Sequence, residues 1–113
     1  MKSWWNPTKV KQALNSYREI KEILYNYGIP SSFNIDYQKL VYNTNDMIEI
    51  VLDLEYAISK LDEYDAIIAK DRWYSKNTQF DIATNRNKSQ QVISEIIKRA
   101  ENNIICILCD NNE

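Results

Sequence analysis

Apolar residues recur at helical spacing through two long stretches of the chain. Val10, Leu14, Tyr17, Ile20, Leu24 and Tyr27 fall three or four positions apart, the interval at which side chains share one helix face. Asn6 before Pro7 places a capping side chain ahead of a residue suited to a first helical turn, and Gly28 with Pro30 stops the run. The pattern predicts a first helix with one apolar stripe and with Lys9, Lys11, Arg18 and Lys21 largely off it. A second run starts near Asn45 and reaches at least Lys60, with Met47, Ile50, Leu54, Ala57 and Leu61 as a heptad-like seam that can continue through Tyr64 and Ile68. Ile48, Val51, Leu52 and Ile58 add a second stripe. That face is wider than a two-stranded coiled coil needs, so it should pack on the first helix and on a further element, from this chain or from another subunit.

Residues 29–45 mix turn formers (Ser31, Ser32, Asn34, Asn43, Thr44, Asn45) with Phe33, Ile35, Tyr37, Leu40, Val41 and Tyr42. This is too apolar for a free tether. An ordered loop is expected there, with a short helical turn near Tyr37 to Val41. Asp62 can cap a third helix through about Tyr74, whose Ile67, Ile68 and Trp73 would pack behind the two helices that follow it. A fourth helix covers Thr78 to about Thr84 and a fifth runs from Ser89 to about Leu108. The apolar end of the fifth, Ile104 to Leu108, exceeds the needs of an isolated surface helix and should return to the core or meet a second copy.

The most specific local pattern lies between Thr78 and Ala100. Asp81-Ile82-Ala83 supplies a small residue for a tight inner turn. Asn87 falls where the turn needs a residue tolerant of positive φ. Ser89 is placed to cap a helix whose apolar positions are Ile93, Ile96, Ile97 and Ala100. The layout is that of a helix-turn-helix whose second helix lies in a DNA major groove.

That spacing resembles the promoter-reading helix-turn-helix at the C-terminus of bacterial sigma factors, and more closely the small phage regulators of the ArpU/RinA type. Leu61 and Ile67-Ile68 precede Arg72-Trp73-Tyr74, and Thr78, Asp81-Ile82-Ala83, Ser89, Ile93, Ile97 and Arg99-Ala100 come after them in register without a gap. The helix Ala13 to Leu24 also looks like the one that opens such regulators. The resemblance implies an all-α protein, a small bundle of about five helices with a C-terminal helix-turn-helix. It would comprise a helical, oligomerising region 1–61, a sigma-like region 62–108 and a tail 109–113. It implies duplex DNA as partner and transcription regulation as function. Two positions depart from the family pattern: Arg86 stands where Leu is usually buried and Lys88 where Ile is. Either side chain can lay its stem on a core and keep its charge in water.

The charge distribution sharpens this picture. The net charge is −2, yet residues 70–101 carry seven Lys/Arg against four acids, and residues 29–69 carry two against eight. A basic C-terminal segment suits phosphate contact, which depends on local charge. Gln90, Gln91, Ser94, Glu95 and Lys98 would line the exposed half of the fifth helix. There Gln matches adenine edges, and Ser or Lys matches phosphate or guanine. Arg72, Lys76, Arg86, Lys88 and Arg99 are phosphate-contact candidates, and Ser89 joins them at the helix start.

Other chemistry is poorly supplied. The chain has no His, hence neither the usual general base nor the commonest metal ligand. Cys106 and Cys109 have no further Cys or His with which to complete a zinc site, and their apolar neighbours suggest buried thiols. Acid pairs such as Asp62-Glu63 and Asp53/Glu55 read as solvated helix surface. No enzyme activity, cofactor or metal is expected. No stretch approaches a membrane span and the first residues lack an apolar leader core, so the expected setting is a bacterial cytoplasm.

The alternative function is a protein-interaction module that keeps the same fold without reading DNA and binds RNA polymerase, a repressor or another host factor. Trp4 and Trp5, with little nearby to bury them, would be natural anchors for it; the equal alternative is that they staple onto the first helix. A homodimer fits either function, and a ring-sized oligomer would fit a DNA-recognition subunit of a packaging machine.

Overall fold

Asn6 starts the first helix through its side chain, whose Oδ1 accepts the Lys9 N–H at 2.9 Å. The computed structural model describes residues 5–27 and 44–109, and all regular structure among them is helical. Helix α1 spans Pro7–Tyr27, α2 Thr44–Ser59 and α3 Glu63–Ala69. The last continues into a π-helical turn, Lys70–Tyr74, and α4 (Gln79–Arg86) and α5 (Gln90–Cys109) complete the bundle. Trp4, Gly28, Pro30, the turn expected near Tyr37 to Val41 and the tail beyond Cys109 lie outside the described residues.

The apolar stripes meet as their spacing predicts. Val10, Leu14 and Ile20 of α1, Met47, Ile50, Leu54 and Ile58 of α2, and Ala100, Ile104 and Leu108 of α5 share one buried cluster. A second, smaller cluster joins Ile68 of α3, Ile82 and Ala83 of α4, and Ile93 and Ile96 of α5, with Ile97 packed against both. The last helix therefore serves two cores. Its first half holds α4 in place, and its apolar end inserts between α1 and α2. Of the two destinations open to Ile104 and Leu108, the structure has the intramolecular core.

Between Lys70 and Tyr74 the helix widens, and the Ser75 N–H reaches back five residues to the Lys70 carbonyl at 3.0 Å. The extra residue rotates the end of the helix relative to its start. Trp73 is buried in the main core and not, as expected, in the cluster beneath α4, and Tyr74 stacks on Tyr17 of α1 with ring centroids 4.5 Å apart. The chain then leaves the helix through Lys76 at φ 60.

Three further expectations need correction, and of the two readings open for Trp5 the structure has the packed one. Trp5 is buried at 4% exposure, and its indole N–H donates to Asp53 Oδ2 at 2.8 Å. It closes the core beside the start of α1, where its large apolar body and single donor both find partners. Asp53 is accordingly not free surface, and neither is Glu55, which accepts from the Tyr17 hydroxyl and from Lys21 at 2.7 Å. Cys106 is exposed because the buried stripe at Ile104 and Leu108 points the other way. In the second stripe of α2, Val51 and Ile58 are buried whereas Ile48 and Leu52 are exposed. Among the described residues, no helix is long and apolar enough to cross a membrane.

Candidate nucleic-acid interface

The connection between α4 and α5 is built by side chains that satisfy helix ends. Thr78 precedes α4 in extended conformation and its hydroxyl accepts the Asp81 N–H at 3.0 Å, one of the donors a helix start leaves unpaired. At the other end, Asn87 adopts φ 58, ψ 48. Its N–H bonds to the Thr84 carbonyl at 3.3 Å and that of Lys88 to the Ala83 carbonyl at 2.9 Å. This is a Schellman closure with Asn in the position that glycine usually fills. Two residues later Ser89 starts α5, its hydroxyl accepting the Val92 N–H at 3.1 Å. The Gln79 side chain crosses to the Gln90 carbonyl at 3.0 Å and ties the two helix starts together.

Underneath, Ile82 and Ile93 are fully buried, so the turn rests on a packed floor and its outer side is polar. Lys88, Ser89 and Gln90 come together there with Asn87 and Thr84 around an open concavity of about 540 Å³, which Phe80 and Ala83 also line. Further along α5, Gln91, Ser94, Glu95 and Lys98 recur at three- and four-residue intervals. Gln91, Glu95 and Lys98 are exposed and Ser94 is half-buried, so these four share one face. Phe80 remains 60% exposed and Val92 40%.

The remaining candidates are arranged differently. Arg99 forms a two-pronged bond with Asp65 of α3, at 2.9 and 2.7 Å. Asp65 is the one buried charged residue among those described, at 2% exposure. The Arg99 guanidinium holds its carboxyl below the usual carboxylate range, against burial that acts in the opposite sense. Arg86 makes the same kind of fork with Asp71, at 2.9 and 3.1 Å, and Lys76 reaches Glu19 of α1 at 2.5 Å. These three cations hold elements together. Arg72 is half-buried on the π-helical turn. Neither Arg86 nor Lys88 enters the core; both are exposed, and Ile82, Ala83 and Ile93 fill that space without them.

Sequence reasoning missed Asp65, Asp71 and Glu19 as partners of these cations. Only Asp65 carried a signal, an acid within the apolar run that leads to Ile68 and Ala69. A second concavity, of about 480 Å³, is lined by Tyr17, Arg18, Lys21, Glu22, Tyr25 and Tyr74. Its charged groups are engaged in the α1 joint: Arg18 bonds Glu22 and the Tyr74 carbonyl, each at 3.2 Å, and Lys21 bonds Glu55. Comparison with protein-family models, with curated proteins and with solved structures yields no match to this chain.

Proposed function

We propose that the chain is a DNA-binding transcription regulator of phage type, with α4 and α5 as a helix-turn-helix that sets the first half of α5 in the major groove. The observation that carries this reading is the α4–α5 connection itself. A left-handed Asn87, a Ser89 cap and a packed Ile82–Ile93 floor present Lys88, Gln90, Gln91, Ser94 and Lys98 outward. In this reading the two glutamines address adenine edges. Lys88, Lys98 and Arg72 address phosphates, and Ser89 leaves the N-terminus of α5 directed at the backbone. Lys76, Arg86 and Arg99 stabilise the scaffold.

Fluorescence anisotropy against random duplex DNA over about 50 to 200 mM salt tests it. Micromolar binding that weakens with salt is expected, and Gln90→Ala with Gln91→Ala should reduce sequence preference more than overall affinity. Absence of binding at the lowest salt overturns the reading.

A second reading has its own observation. Phe80 is 60% and Val92 40% exposed, and three of the six cations expected at the interface are paired within the chain. An apolar outcrop beside few unpaired cations suits a protein partner such as RNA polymerase or another host factor. Loss of that interaction on Phe80→Ser, with DNA binding absent throughout, is its expected outcome.

A further inference from the structure

Away from the core, the first half of α5 carries an acid among amides and cations. Ile93, Ile96 and Ala100 set the buried side of the helix. At 3.6 residues per turn, Gln91, Glu95 and Lys98 fall within an arc of about 60° on the far side. Glu95 is exposed, and it is the single acid in that half of α5. It has no hydrogen-bond or ion-pair partner among the described residues. Arg99, one turn further on, is committed to Asp65 through both prongs, at 2.9 and 2.7 Å, and feels Glu95 only through space. Other acids near cations behave differently: Glu19 and Asp71 close ion pairs with Lys76 and Arg86.

A carboxylate on a surface that faces a polyanion opposes every contact except one with a hydrogen-bond donor. We propose that Glu95 is a specificity-determining residue that reads cytosine in the major groove, an inference that rests on the DNA-binding reading. An ionised carboxylate only accepts hydrogen bonds. On the major-groove edge cytosine presents its N4 amine, whereas guanine presents two acceptors, N7 and O6, and thymine an acceptor and a methyl group. Adenine offers its N6 amine, but the N7 lone pair beside it repels a carboxylate and suits the amide of Gln91 instead. Attraction to one base and repulsion from the other three act together, which discriminates more sharply than attraction alone. Gln91 and Glu95 stand one turn apart, about 6 Å along the axis, or about two base-pair steps. The preferred site therefore carries C·G about two base pairs from the A·T pair that Gln91 addresses.

Selection of bound duplexes from a random pool, by the full chain and by its Glu95→Gln variant, tests the assignment. The parent chain is expected to enrich a cytosine column beside the adenines. With Glu95→Gln that column should turn to adenine, which an amide pairs with, while the other columns stay. In anisotropy, changing C·G to T·A at that column of the selected duplex should weaken parent binding about tenfold or more and leave the variant nearly indifferent. The variant should also bind random duplex more tightly, because one repulsion is gone. Helicity by circular dichroism should be the same, since Glu95 ties down no other element among the described residues. A parent chain that binds DNA but enriches no cytosine column, or a column that survives Glu95→Gln, overturns this inference and leaves the DNA-binding reading intact. Absence of binding to any duplex at about 50 mM salt overturns that reading and the inference with it.

Discussion

Asp65 stands on a helix face that otherwise turns apolar side chains inward. Its carboxylate can stay ionised there because Arg99 supplies two donors in fork geometry. Arg99 itself remains largely in water, so the desolvation cost falls mainly on the acid. The pair should carry a recognisable pH signature. A carboxyl whose folded pKa lies below its unfolded value contributes stability that is fully present above the unfolded value, near 4, and is lost as pH falls through the folded one. Asp65→Asn should therefore lower the thermal midpoint at neutral pH. The gap to the parent chain should close as pH drops below about 4. Unfolding monitored by circular dichroism across a pH series checks this; a gap independent of pH would mean that the ionised pair contributes nothing of its own. The partnership was not legible in the sequence, since 34 positions separate the two residues and local spacing says nothing about such pairs. The partner of Trp5 escaped for the same reason, Asp53 lying 48 positions away.

At the scale of elements, what was legible is what local chemistry dictates. Asn6 and Ser89 each make the capping bond that their positions announced, and Thr78, expected as the first residue of its helix, caps it instead. Asp62 sits at the expected start of α3 but makes no side-chain cap. Asn87 takes the left-handed conformation inferred from its place between two apolar patterns. The π-helical turn was not legible, because a single extra residue leaves the surrounding apolar spacing intact and appears only once Trp73 and Tyr74 find their neighbours. Asn87 also permits a sharp test of the turn. A β-branched side chain at φ 58 meets the steric penalty of left-handed backbone, about 1–2 kcal/mol, whereas glycine meets none. Asn87→Val should lower the unfolding free energy in urea by that amount, and Asn87→Gly should leave it nearly unchanged. Equal tolerance of both would mean that the turn relaxes to another conformation. For the proposed function the pair is informative, since Asn87→Val also tilts the start of α5 and should weaken DNA binding beyond its effect on stability.

For the molecule as a whole, the charge count in the sequence overstates what the surface offers to DNA. Six cations were expected at the interface, Arg72, Lys76, Arg86, Lys88, Lys98 and Arg99, and three of them are held by Glu19, Asp71 and Asp65. The distinction is measurable, because each phosphate neutralised adds about 0.9 to the slope of log affinity against log salt. Three available cations predict a slope near about −3 per bound copy, whereas six would give roughly −5. Lys88→Gln and Lys98→Gln should each reduce the slope by about 1. Lys76→Gln should leave the slope unchanged, because its charge is spent on Glu19. A parent slope of roughly −5, or a drop on Lys76→Gln, would show that the ion pairs open on DNA and that their cations turn outward to the backbone. A slope of roughly −3 with the two lysine effects in place would locate two of the phosphate contacts on the turn and the first half of α5, and leave the ion pairs as the fixed frame that aims them.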